Sequence, residues 1–111
     1  MSLTRLARRK SFHCHTQAPS AGFSPAGHGH NYELEAFFEG PVDQTSGMVV
    51  NLTEVDQLLS EVTGAIPQSS STEALAEALA KKIIATSKLT GVRLAKVRLY
   101  EHEDLWVDVW P

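Results

Sequence analysis

The chain holds five histidines in 111 residues, and four of them form two pairs spaced i, i+2: His13/His15 and His28/His30. In an extended strand, residues i and i+2 share a face, so each pair presents its imidazoles side by side, as two ligands of one metal must. The second pair lies in Gly27-His28-Gly29-His30-Asn31-Tyr32. Its glycines remove side chains that would crowd a site and let the backbone come close. Imidazole ligands suit Zn²⁺ among the common divalent ions. A neighbouring strand that carries His13 and His15 is a route to a third ligand. The plainer reading is a polar loop with surface histidines. The one cysteine, Cys14, excludes an intrachain disulfide and fits a reducing compartment.

A second chemical feature stands near the C-terminus. Ala95, Val97 and Leu99 fall on one strand face, and the same face, continued by two, carries Glu101. A carboxylate at that place either points outward where the strand runs out of core or points into a pocket.

The elements that position these groups follow from pattern. Residues about 4–15 read as a strand, and the Pro/Gly/Ser/Ala-rich stretch from Thr16 to Gly29 as a loop. A second strand begins at about His30, with Tyr32-Glu33-Leu34-Glu35-Ala36 alternating, and ends near Gly40-Pro41. Asp43 to Gly47 is a polar turn, and Met48-Val49-Val50 a short apolar strand or strand end. Asn51 is placed to cap a helix whose apolar stripe is Leu52, Val55, Leu58, Leu59 and Val62, ending at Gly64. Ser70 and Glu73 have capping-box spacing before a second helix that buries Leu75, Ala76, Leu79, Ala80, Ile83 and Ile84. Residues 92–101 and 105–110 read as a hairpin. Strands at both ends and helices between them predict a single α+β domain over 1–111: an antiparallel sheet with two helices on one face, and edges that pairing between subunits would cover.

Bulk properties exclude several classes. The hydrophobic fraction of 42% and charged fraction of 21% are those of an ordinary globular domain. A net charge of −3, with no basic cluster beyond Arg8-Arg9-Lys10, argues against a nucleic-acid surface. No apolar run approaches the ~20 residues that span a bilayer, and the N-terminus lacks a signal-peptide core. A cytoplasmic location is expected.

Taken together, Gly27-His28-Gly29-His30-Asn31-Tyr32, Gly47-Met48-Val49-Val50-Asn51-Leu52, Ser71-Thr72-Glu73 and Val97-Arg98-Leu99-Tyr100-Glu101 closely resemble the 6-pyruvoyl-tetrahydropterin synthase / 6-carboxytetrahydropterin synthase family, from about Arg8 to Trp110. The resemblance implies the tunnelling fold (T-fold): a four-stranded antiparallel sheet with two helices on one face, closed into a barrel by oligomerisation. It implies a homo-oligomer, a trimer or hexamer, with a Zn²⁺ ion held by three histidines and a pterin pocket at the subunit interface. Carried over residue by residue, the metal ligands are His28, His30 and His15, with His13 as the alternate. Glu101 anchors the pterin by a charge-assisted, bidentate contact, and Ser71 and Thr72 supply hydroxyls near it.

The resemblance breaks at the proton-transfer groups. The family's cysteine before the Gly-His-Gly-His block aligns with Gly22 or its neighbours Phe23, Ser24 and Pro25, none of which is Cys. The Leu-Asp-His segment between its helices is replaced by Thr63-Gly64-Ala65-Ile66-Pro67-Gln68-Ser69, without Asp or His. Loss of a general acid–base group typically costs ~10²–10⁴-fold. The expectation is a zinc-dependent, pterin-binding lyase-type homologue of altered or weak activity on a dihydroneopterin-triphosphate-like substrate, with catalytic residues unknown. The alternatives are a non-catalytic pterin- or metal-binding homologue and a barrel protein that keeps only the fold.

Overall fold

A computed structural model describes residues 2–16, 28–66 and 71–111; for 15, 16 and 28–30 the description is of the backbone. The long Pro/Gly/Ser stretch expected as a loop falls mainly at 17–27, outside the described residues, as does Ser70.

Strands β1 (Thr4–Thr16) and β2 (His28–Gly40) pair antiparallel over their whole length. Helices α1 (Leu52–Gly64) and α2 (Thr72–Thr86) follow, and β3 (Arg93–His102) and β4 (Leu105–Val109) complete a sheet of order β1-β2-β3-β4. The expected four-stranded antiparallel sheet with two helices is present. The strand expected at Met48–Val50 is absent. That segment is a loop closed by Asp43, whose backbone N–H donates to Met48 O (2.8 Å) while its carbonyl accepts from Gly47 N–H (2.8 Å). Gly47 turns this loop at φ +74°, where a side chain would be strained.

The alternation in β2 does what the pattern predicts. Tyr32, Leu34, Ala36 and Phe38 are buried against Val97 and Leu99 of β3 and the apolar stripes of both helices. In α1, Val55, Leu58, Leu59 and Val62 are buried. Leu52, at the helix start, is 42% exposed. In α2, Leu75, Ala76, Leu79, Ala80 and Ile83 are buried, whereas Ile84 is 53% exposed because it lies one residue beyond the stripe that meets the sheet.

Local chemistry sets the helix ends. Asn51 caps α1 through Thr53 N–H, which donates to its Oδ1 (2.8 Å). Ser71, not the expected Ser70, caps α2: Ala74 N–H donates to Ser71 Oγ at 3.1 Å. Lys82 of α2 donates to the carbonyls of Val62 and Ala65, placing a cation at the C-terminal end of α1. Ser71→Ala should therefore lower stability by about 1 kcal/mol, read as a shifted denaturant midpoint at unchanged m-value.

Candidate functional site

Two faces of the sheet carry different chemistry, and the β1–β2 register assigns residues to each. On the helix side, the opposed pairs are Phe12↔Tyr32, Cys14↔His30 and Thr16↔His28. On the other side they are Arg9↔Glu35, Ser11↔Glu33, His13↔Asn31 and His15↔Gly29. Directly opposed residues of an antiparallel pair share a face. His28 and His30 thus share a face with Cys14 and Thr16. His13 and His15 share the opposite one, where His13 Nδ1 and Asn31 Oδ1 are 3.0 Å apart.

This bears directly on the zinc expectation. The register brings together two of the three expected ligands, His28 and His30, and does not bring His15 or His13 to their face. Among the described residues, no cluster of three His, Cys, Asp or Glu side chains is placed to hold a metal. Cys14 packs against the core, and burial pushes its thiol up from the ordinary value. A thiol in that setting is not activated as a nucleophile or base by its own surroundings.

Glu101 is re-aimed by the backbone. Tyr100 pairs with Trp106 and His102 with Leu105, which leaves Glu101 as the extra residue of a β-bulge. Bulges redirect side chains in this way. Glu101 is half-buried and lines a cavity of about 530 Å³ with Arg9, Ser11, Asn31, Tyr100 and Trp106. That volume lies within the usual range for small-molecule sites. The two readings left open for this carboxylate resolve to a pocket-lining one. Ser71 and Thr72, half-buried at the start of α2, do not line this cavity.

The cavity floor is part of an ion-paired sheet face. Tyr100 Oη donates to Glu35 Oε1 (3.0 Å) and accepts from Arg9 Nη2 (3.0 Å), with the Arg9 guanidinium 4.5 Å from the Tyr100 ring centre. Arg9 also donates to Glu35 and Glu33, both at 3.2 Å. Arg98 forms a fork on Asp108 (Nε–Oδ1 2.7 Å, Nη2–Oδ2 3.0 Å), and Lys96 Nζ stands 3.5 Å from the same carboxylate. The Arg98 fork holds Asp108 below the usual carboxylate range. The Arg8-Arg9-Lys10 cluster is split by strand alternation: Arg8 forks onto Asp56 of α1 on the helix side, and Arg9 joins the opposite face. Two of its three charges are thereby paired within the fold.

Asp108→Ala strands two partly buried cations. It should destabilise the protein by roughly 1–3 kcal/mol at pH 7. Because the Asp108 pKa is depressed in the folded state, its contribution is complete above the unfolded value of about 3.9 and disappears as pH falls through the folded one. The gap between wild type and variant should stay flat from pH 7 to about 4 and close below that, as read by denaturation at each pH.

Sequence reasoning did not single out Arg9, Ser11, Asn31, Tyr100 or Trp106 as cavity residues. A signal was present: opposite charges at alternating positions, Arg9 against Glu33 and Glu35 and Arg98 against Asp108, mark a shared polar face once strands pair.

The four-stranded antiparallel sheet and the two helices are those of the tunnelling-fold class. A structure of 6-pyruvoyl tetrahydropterin synthase from Caenorhabditis elegans superposes with a TM-score of 0.83 at 23% identity, over 100% of this chain and 97% of that one, which shows a shared fold. The chain belongs to the 6-pyruvoyl tetrahydropterin synthase family, whose profile matches residues 5–111. The 6-pyruvoyl tetrahydrobiopterin synthase of Poecilia reticulata is 46% identical over 39 residues, 35% of this chain and 26% of that protein. The protein of the same name from Drosophila melanogaster is 47% identical over 36 residues, 32% of this chain. These matches span about a quarter of the fish protein and 21% of the fly protein.

Proposed function

We propose that this protein is a pterin-binding, zinc-dependent homo-oligomer that acts on a dihydroneopterin-triphosphate-like substrate with altered or weakened lyase chemistry. The observation that carries the reading is Glu101, set by a β-bulge into the wall of a cavity beside Tyr100 and Trp106. A carboxylate there can accept two parallel N–H bonds from the amidine-like edge of a pterin. The aromatic rings of Tyr100 and Trp106, 5.7 Å apart and tilted, offer apolar surface to a flat heterocycle. His28 and His30 would hold the metal, which when bound supplies Lewis-acid polarisation of substrate oxygens.

Assembly belongs to the same proposal. The chain measures 53 × 24 × 20 Å, and its radius of gyration of 15.2 Å exceeds the about 13 Å of a compact chain this long. Strands β1 and β4 form the two edges of the sheet. A ring of subunits, a trimer or hexamer, would pair those edges and complete the pocket from a second copy. Ser71 and Thr72, away from the Glu101 cavity of their own chain, are then placed to serve a neighbouring one. A cytoplasmic location fits the single cysteine.

The weakened chemistry rests on sequence. Gly22, Phe23, Ser24 and Pro25 offer no thiol, and the segment between the helices offers no Asp-His pair. That same absence favours a second reading, a non-catalytic pterin- or metal-binding homologue. One experiment separates them. Zinc-loaded protein is titrated with a dihydropterin and then incubated with dihydroneopterin triphosphate. Binding with slow or different product formation supports the first reading, and binding without product the second. No pterin binding defeats the first reading and the pterin-binding form of the second.

A further inference from the structure

The walls of the Glu101 cavity carry a one-sided charge. Glu33 lines it from β2 and Glu103 from the β3–β4 turn, so that with Glu101 three carboxylates border one space, against the single guanidinium of Arg9. With His102 neutral, three carboxylates against one guanidinium leave a formal charge of −2 on the lining. We propose that this cavity favours a pterin whose side chain is uncharged over its phosphorylated form, so that the triphosphate is the poorer ligand. The preference rests on the pterin reading above and gives weakened chemistry on a triphosphate a second physical source.

Phosphate groups are ordinarily held by Arg or Lys. All ten Lys and Arg of the chain lie among the described residues. Arg9 is the one that lines the cavity, and it already donates to Glu33 and Glu35, both at 3.2 Å, and to Tyr100 Oη at 3.0 Å. A phosphate would have to displace those carboxylates to reach it. Of the other nine, five are held by carboxylates elsewhere: Arg5 and Arg93 by Glu39, Arg8 by Asp56, and Lys96 and Arg98 by Asp108. The pterin ring is a different case. Its N–H groups are donors that carboxylates accept, whereas an ionised phosphate brings only acceptors to a wall of acceptors. Like charges set face to face reject a ligand at little cost to the one that lacks them.

The test titrates the zinc-loaded full chain with dihydroneopterin, its monophosphate and its triphosphate, in magnesium-free buffer at about pH 8, where unperturbed histidines are neutral. Affinity should fall in that order at about 10 mM salt, with the triphosphate roughly tenfold weaker than the unphosphorylated pterin. The gap should close as salt approaches about 1 M, where the screening length shrinks from ~30 Å to ~3 Å. Glu33→Gln and Glu103→Gln should each narrow the low-salt gap about threefold, the like-charge repulsion being shared between them. Glu103 lies in an exposed turn, so Glu103→Gln carries the test should Glu33→Gln fail to fold. Equal or tighter binding of the triphosphate at low salt, as a cation from a second subunit would produce, overturns the proposal and leaves the pterin reading intact. A gap that neither salt nor Glu103→Gln alters overturns it as well, because the discrimination is then steric. If none of the three ligands binds, the proposal falls together with the pterin reading.

Discussion

Glu101→Ala should weaken pterin binding by about 2 kcal/mol, close to thirtyfold in Kd, while leaving the melting temperature nearly unchanged. The size follows from what the side chain does. A half-buried carboxylate that accepts two charge-assisted bonds loses both at once, and the pterin N–H groups left behind face a cavity wall instead of water. The small effect on stability follows from its place as the extra residue of the bulge, outside the buried core. Glu101→Gln keeps an acceptor and loses the charge, so its affinity should fall between wild type and Glu101→Ala. Fluorescence or calorimetric titration with a dihydropterin reads both variants. Equal affinity for all three proteins would show that the pterin is held elsewhere.

His30→Ala should have the largest effect on metal. Loss of an outer partner of a metal ligand already costs 10–100-fold, so removal of a ligand should exceed ~100-fold in Zn²⁺ affinity. It should also abolish the rise in melting temperature expected of the wild type on adding Zn²⁺, because a ligand that binds only the native state stabilises it by about 2.7 kcal/mol at a hundred times its Kd. Competition with a chromophoric chelator measures the first and a thermal scan with and without Zn²⁺ the second. Retained zinc binding in His30→Ala would remove the Gly27–Tyr32 stretch from the metal site. His28→Ala should behave alike, since residues two apart on one strand serve one ion.

Much of this was legible from residue types and spacing. The period-2 pattern of Tyr32 to Phe38 marked a half-buried strand, and Val55, Leu58, Leu59 and Val62 marked the buried side of α1. Asn51 was identified as a cap correctly, and the second cap was misplaced by one residue because Ser70 and Ser71 are chemically alike. The Met48–Val50 segment reads as strand by composition, yet its backbone partners are spent on a local loop around Asp43. Ala95 and Lys96 are buried in succession because β3 carries an extra residue opposite the Phe37–Phe38 step, an irregularity no alternation rule anticipates.

The sequence by itself determined that His28 and His30 share a face, as do His13 and His15, because the two-residue repeat of an extended strand is a local property of the backbone. It also determined the class of fold, since apolar periodicity and capping residues act over a few positions. Only the tertiary structure decided how the two pairs relate. Register is a relation between strands, and a slip of one residue turns every side chain to the other face. The pairing sets Cys14 opposite His30, and His13 and His15 opposite Asn31 and Gly29. The same holds for Glu101: its strand position is plain in the sequence, but its aim depends on a bulge that exists only where β3 meets β4.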